Sequence, residues 1–132
     1  YPAGRGLCRC DVVTRRLPEG AEFPVAWQQG EAGSHDALLV AVAALLRDLR
    51  AAGAQHADLN AKNLYVARDG GRWCAWVLDV DRVRFRRANH PSVGEQNLAR
   101  LDRSLRKRRD RHALDITDAQ LARLALLAEE AE

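Results

Sequence analysis

No stretch of the 132-residue sequence approaches the ~18–20 consecutive apolar residues of a membrane-spanning helix. The longest apolar run, residues 37–46, is too short, is not N-terminal and follows no basic leader, so it reads as neither a span nor a signal peptide. Cysteine is scarce. Cys8, Cys10 and Cys74 make an odd count, and Cys8-Arg9-Cys10 has neither the CxxC nor a zinc spacing. No disulfide framework is expected, and reduced thiols in a cytosolic protein are. Lysine is nearly missing, since 19 of the 21 basic residues are Arg. Aromatics number seven, three of them Trp, too few for a nucleic-acid stacking platform. The chain opens on Tyr1 instead of Met, which reads as a processed or truncated product.

What is present fits one soluble globular domain. Hydrophobic residues make up 47% and charged residues 30%, which argues against disorder, and the length allows a real core. The net charge of +3 conceals an asymmetry. Residues 82–112 hold 11 Lys+Arg against 3 Asp+Glu, whereas the remainder is net acidic. Such a block is either the solvated face of a helix or a footprint for an anionic partner.

Residues 7–17 look extended, and residues 18–34, with two Pro and three Gly, read as a loop. A helix is predicted over 34–53. Ser34 is its N-cap, Leu38, Leu39, Val42, Leu45, Leu46 and Leu49 form its apolar stripe, and Gly53 is its stop. Residues 54–63 are too polar and irregular for a core strand. Residues 64–66 and 73–78 form two short strands about the turn Arg68-Asp69-Gly70-Gly71. Capping boxes at Ser92/Glu95 and Thr117/Gln120 open two further helices.

The chemistry concentrates at the ends of this hairpin. Asp58 and Asn63 lie five residues apart where a helix hands over to a strand, and Asp79 follows the return strand. The topology gathers all three. An amide and a carboxylate oxygen are hard ligands suited to Mg²⁺ held jointly with phosphates, and a second carboxylate can take a proton from an attacking hydroxyl. These are the parts of a phosphoryl-transfer site. His56-Ala57-Asp58-Leu59-Asn60-Ala61-Lys62-Asn63 has the spacing of the kinase catalytic loop, with Asp79-Val80-Asp81 in the place of its Asp-Phe-Gly segment. Read alone, Asp58 or Asp79 is an ordinary cap or turn residue. Asn63 alone is a loop-backbone partner. Asp81 is either a third acid near the metal or a salt-bridge partner of Arg82 or Arg84.

The stretches His56-Ala-Asp-Leu-Asn-Ala-Lys-Asn-Leu64, Leu78-Asp-Val-Asp-Arg-Val-Arg84 and Asn97-Leu-Ala-Arg-Leu-Asp-Arg-Ser-Leu-Arg-Lys107 resemble the 3-deoxy-D-manno-octulosonic acid (Kdo) kinases, of the lipopolysaccharide kinase group of Gram-negative bacteria. The resemblance runs over about residues 10–107. It implies an α+β fold, a protein-kinase-like C-lobe that is mainly helical with a short β-hairpin. It implies ATP and Mg²⁺, and phosphate transfer to the inner Kdo sugar of lipid A. Asp58 would be the base, Asn63 and Asp79 the metal ligands, His56 and Asn60 supporting loop residues, and Asp81 a candidate third acid. Asn60 stands where protein kinases keep a loop Lys, and Lys62 departs from the family's usual His. Arg82, Arg84, Arg106, Lys107, Arg108 and Arg109 would meet an anionic substrate or the anionic cytoplasmic face of the inner membrane, where the protein would sit peripherally. No specific nucleic acid is expected. The rival readings are a non-catalytic, pseudokinase-like or membrane-binding module, and another sugar or heptose kinase.

A kinase N-lobe supplies a Gly-rich loop and a strand Lys paired with a helix Glu. Gly4-Arg5-Gly6 is too short and too terminal for that loop, and no Val-Ala-x-Lys pattern occurs. The organisation expected is therefore one lobe over 1–132 with the N-lobe absent or nearly so. It comprises a hinge-leading strand over 1–20, a helix over 34–53, the catalytic loop, hairpin and metal-binding segment over 54–81, and basic and C-terminal helices over 82–132. Residues 19–23 would lie near the adenine. Half of the phosphate grip would then be missing. These 132 residues should bind nucleotide more weakly than an N-terminally extended chain. Equal affinities in a calorimetric titration would contradict this.

Overall fold

The computed structural model describes residues 2–4, 7–8, 17–30 and 32–130, with the side chains of 2–4, 7–8 and 32 left aside. Its strands are β1 (Pro2–Gly4), β2 (Leu7–Cys8), β3 (Gly20–Glu22), β4 (Ala54–His56), β5 (Leu64–Asp69), β6 (Arg72–Val77) and β7 (Val83–Phe85). Its helices are α1 (Phe23–Gln29), α2 (His35–Ala52), α3 (Pro91–His112) and α4 (Asp118–Glu129). β1 pairs with β2. The remaining strands form a three-stranded antiparallel sheet ordered β3-β5-β6 and a separate β4-β7 pair.

α2 is the centre of the lobe. Its spacing buries Leu38, Leu39, Val42, Leu46 and Leu49, so one side meets the β5–β6 hairpin and the other meets α3 and α4. Gly53 stops the helix at φ 71°, its N–H bonded to the carbonyls of Leu49 and Arg50. A side chain there would also strike the backbone carbonyl of Arg86, so glycine is needed twice over. The hairpin turns through Gly70 and Gly71, both at positive φ, in the register Leu64↔Val77 to Asp69↔Arg72. Thr117 and Gln120 form the capping box read from the sequence, with bonds of 3.1 and 2.8 Å.

Several expectations are corrected. Residues 18–34 are not all loop. Pro24 starts α1 within its first turn, and Phe23, Ala26 and Trp27 recur at helical spacing and are buried. Trp27 donates from Nε1 to Asp115 at 2.8 Å, and its ring stacks on His35 at 3.9 Å. Residues 54–56 do form a strand. Ala54 and His56 turn inward while Gln55 turns out to Arg86 and Gln96, so the polar residue sits on the solvent face. Residues 83–85 pair with it and are not helical. α3 begins at Pro91, capped by His90, whose Nδ1 accepts from Ser92 N–H at 3.2 Å. Pro91 lacks the N–H that a first helical residue leaves unused, which moves the start ahead of the expected Ser92 cap. Ser34 precedes α2 in helical conformation within a 3₁₀ turn and makes no side-chain cap. Within the stretch 7–17, Leu7–Cys8 is a strand, and residues 9–16 lie outside the described residues. Cys74 is a free thiol; Cys8 and Cys10 fall outside the described side chains.

Asn97 joins α3 to β4. It is fully buried among Val93, Leu101 and Leu105 of the same stripe. Its Oδ1 accepts from His56 N–H and its Nδ2 donates to the Ala54 carbonyl, both at 3.0 Å. Asn97→Leu would strand both backbone groups in a dry interior, at about 1–3 kcal/mol each. Urea unfolding should show a loss of about 2–5 kcal/mol. A change within about 0.5 kcal/mol would refute the clamp.

Candidate active site

α2 delivers the chain through Gly53 and β4 into residues 57–60, a 3₁₀ turn at Ala61–Asn63, and then β5. The hairpin returns it through β6 to Leu78 and Asp79, beside the point of entry. Leu59, Ala61 and Leu64 are buried in the main core and pin the loop from below. Ser104 of α3 pins it from the side, its Oγ accepting from Ala61 N–H at 2.9 Å.

His56 is fully buried and bridges the two halves. Its Nδ1 accepts from Asp58 N–H at 3.1 Å, and its Nε2 lies 3.1 Å from the Leu78 carbonyl. A carbonyl only accepts and an N–H only donates, so these partners assign the neutral tautomer with the proton on Nε2. Asn60 and Asn63 form a reciprocal cap. Asn60 Oδ1 accepts from the N–H groups of Lys62 and Asn63 at 2.9 and 3.3 Å, while Asn63 Oδ1 accepts from Asn60 N–H at 3.0 Å. Both side-chain amides then donate to the Asp58 carbonyl, at 3.1 and 2.8 Å. Leu78 N–H donates to the Asn63 carbonyl at 2.7 Å, which sets Asp79 against Asn63.

The carboxylates are treated differently from this scaffold. Asp58, Asp79 and Asp81 are exposed, and none forms an ion pair or side-chain hydrogen bond among the described residues. Asp79 holds φ 57°, ψ 52°, a left-handed conformation that Asp tolerates better than most residues. The donor set fits Mg²⁺. Asp79 offers a free carboxylate, and Asn63 Oδ1 keeps one lone pair beyond its bond to Asn60. No cluster of three or more His, Cys, Asp or Glu able to hold a metal occurs among the described residues, so phosphate and water oxygens would complete the shell.

The six basic residues singled out from sequence separate into three places. Lys107 and Arg108 line a cleft of about 410 Å³ shared with Asp58, Asn60 and Lys62. Arg106 and Arg109 turn the other way. Arg106 pairs with Asp102 at 2.7 Å and Asp118 at 3.5 Å, and Arg109 with Asp118 at 2.7 Å. The hydrogen bond and charge of Arg109 hold the Asp118 carboxyl below the usual carboxylate range, and Asp102 raises the Arg106 guanidinium. Arg82 and Arg84 are exposed beside Asp81, and the Arg82 carbonyl accepts from Ala57 N–H at 2.9 Å. Sequence reasoning missed Arg100 and Arg103 in the cleft, although the steps of three and four residues from Arg100 to Arg103 to Lys107 were a readable signal. It also missed Ser104 and Asn97. Asn97 betrays itself as a lone polar residue in the stripe Val93, Asn97, Leu101, Leu105.

The sequence profile of the lipopolysaccharide kinase (Kdo/WaaP) family matches residues 3–126. The chain is 33% identical over 107 residues to the 3-deoxy-D-manno-octulosonic acid kinase of Pasteurella multocida (strain Pm70), across 77% of this chain and 41% of that protein. Among solved structures, WaaP in complex with acyl carrier protein matches with a TM-score of 0.66 at 19% identity, covering 89% of this chain and 50% of that one. The chain therefore spans half the length or less of these relatives.

Asn63→Ala removes the acceptor for Asn60 N–H and one donor to Asp58, leaving the loop backbone short of partners. Hydrogen exchange at the Asn60 amide should accelerate about tenfold, for a loss of about 1–2 kcal/mol. Asn63→Asp keeps the acceptor and should lose less. Unchanged exchange in both variants would show that the loop does not depend on this cap.

Proposed function

Because the chain belongs to the lipopolysaccharide kinase (Kdo/WaaP) family, we propose that it is the kinase-like C-lobe of an enzyme that moves the γ-phosphoryl group of ATP to a hydroxyl of the inner-core Kdo sugar of lipid A. The α+β fold, four helices around a short hairpin, is that of such a lobe. The observation that carries the reading is the contrast within one loop. The polar groups of His56, Asn60 and Asn63 hold the backbone, with one lone pair of Asn63 Oδ1 to spare, while the Asp58 and Asp79 carboxylates rise from that fixed backbone and are left free.

In this reading Asp58 takes the proton as the acceptor oxygen bonds to the γ-phosphorus and the bond to the ADP oxygen breaks. Asn63 and Asp79 hold Mg²⁺, which neutralises charge on the phosphates when bound. Asp81, two residues on, is a candidate third acid, and Asn60 sets the pitch of the loop. Fixed geometry makes up most of the catalysis, which is why so many loop hydrogen bonds serve position alone. The acceptor is embedded in an anionic membrane, and Arg82 and Arg84 beside the exposed Phe85 suit a peripheral approach from the cytoplasmic side. No helix among the described residues is long and apolar enough to cross a membrane.

Mg²⁺-dependent transfer of labelled phosphate from ATP to Kdo-tipped lipid A should be measured with this chain and with Asp58→Ala. The variant should lose at least about 10²–10³-fold. Asp79→Asn should raise the Mg²⁺ concentration needed for half-maximal rate. Equal transfer by Asp58→Ala and the parent chain would reject Asp58 as the base.

A further inference from the structure

The C-terminal half of α3 is sorted by face. Arg106 and Arg109 meet Asp102 and Asp118 and are neutralised. Arg100, Arg103, Lys107 and Arg108, with His112 below them, turn to the other side and line the cleft that Lys62 closes from the catalytic loop. None of those five Arg and Lys residues takes part in an ion pair among the described residues. Asp58 is the one carboxylate on the cleft wall. Five cations thus converge against one anion, and mutual repulsion makes that arrangement unfavourable unless something negative enters. The Nε of Arg100 is buried and has no hydrogen-bond partner among the described residues. That N–H is closed to the cleft, so what Arg100 brings to a bound anion is its positive charge.

The size agrees with a small polar ligand. At about 410 Å³ the cleft falls near the lower end of small-molecule sites and has room for a sugar bearing a charged group. Asp58 and Asn60 form one end of it, so a ligand seated against α3 places its neighbouring hydroxyl at the loop.

We propose that this cleft is the subsite for an anionic substituent, carboxylate or phosphate, of the acceptor whose hydroxyl is presented to Asp58. The inference rests on the reading of Asp58 as the base and adds the specificity element. Arg103 and Lys107 select an acidic acceptor over a neutral one, Lys62 and Arg108 flank the bound group, and Arg100 adds its charge from behind. Contacts remote from the reacting atoms would hold the hydroxyl in register, which is how binding of a non-reacting group is turned into rate.

The test has a binding arm and a kinetic arm. In the binding arm, inorganic phosphate and then free Kdo are titrated into the isotope-labelled chain while the Arg100 Nε–H resonance is followed. It should shift with both probes, and Arg103→Ala/Lys107→Ala should weaken each affinity about tenfold or more. Arg72→Ala, which removes a charge on the hairpin, should leave both affinities unchanged. An unmoved Arg100 signal, or equal affinities in the double variant, would overturn the subsite. In the kinetic arm, the double variant should raise the KM for Kdo-tipped lipid A about tenfold with the KM for ATP within twofold. A rise in the KM for ATP alone would give these charges to the nucleotide phosphates and overturn the acceptor assignment. Asp58→Asn separates the two readings. It should bind phosphate as well as or better than the parent chain while losing transfer. If it transfers normally, the base assignment fails and the phosphate titration still decides the cleft. Both substituted residues of the double variant are exposed, and matching thermal melts would show that folding is intact.

Discussion

His56 has no exposed surface, yet both of its ring nitrogens are bonded to backbone that belongs to different parts of the chain. One partner is the N–H of Asp58 and the other is the carbonyl of Leu78, the residue before Asp79. A neutral imidazole satisfies both, with its donor and its acceptor fixed on one rigid ring. Lysine or a carboxylate at this position would bring a charge into a dry site, and a leucine would strand two backbone groups. The imidazole itself is held from behind, since the backbone N–H of His56 is bonded to the buried amide of Asn97. The line from α3 through Asn97, His56 and Leu78 thus fixes the separation of the backbone segments that carry Asp58 and Asp79. Every other contact in the loop refines an arrangement that this buried polar line makes.

Electrostatics divides the same helix between structure and site. On the face toward α4, Arg106 and Arg109 share Asp118, and midway along that helix Arg123 holds Asp36 of α2. The Asp36 and Asp118 carboxyls are both held below their ordinary range, chiefly by hydrogen bonds from Arg123 and Arg109 respectively. A carboxylate whose folded pKa is depressed contributes stability above its unfolded value, near pH 4, and loses it only as the pH falls through the folded value. Both clamps are therefore fully in force at neutral pH. They are surface pairs and add little individually. Their larger consequence is that two of the arginines in the basic block are already engaged, which leaves the other face of α3 as the site of unbalanced charge.

How much of this was legible follows from range. α2, the hairpin and the Thr117 capping box were readable because each is specified within about 18 residues: an apolar stripe, a Gly-Gly turn, a reciprocal cap. The nearness of Asp58, Asn63 and Asp79 was readable because the loop keeps the first two in one short segment and the hairpin returns the third beside them. β4 and β7 were not. Each has three residues, and they exist because Gly53 lets residues 86–87 approach so closely that the two segments pair. α1 was hidden by Pro24, a helix breaker in the middle of a helix and a helix starter in its first turn. The basic block showed its charge but not its faces. Only the packing of α3 against the loop on one side and α4 on the other separates cations that are satisfied from cations that are not.

Asp79 carries the remaining constraint. It is one of three non-glycine residues at positive φ among those described, with Asn89 and Ala113. Ala113 ends α3, its N–H bonded to the Arg108 carbonyl, and the turn that follows sends Leu114 and Ile116 into the core. There the left-handed residue, which costs roughly 1–2 kcal/mol, is offset by burial next door. Asp79 has no such compensation of its own, since Val80 beyond it is exposed. It is fixed instead by its neighbours, because Leu78 is bonded at both its N–H and its carbonyl, and the Asp79 carbonyl accepts from Arg82 N–H at 3.2 Å. The backbone is thus held in a sparsely populated conformation by bonds on either side, and the product is the direction of a single free carboxylate. Strain retained at a residue whose side chain contributes nothing to the fold marks a place where function is to be sought, which is the place the proposed reading gives Asp79.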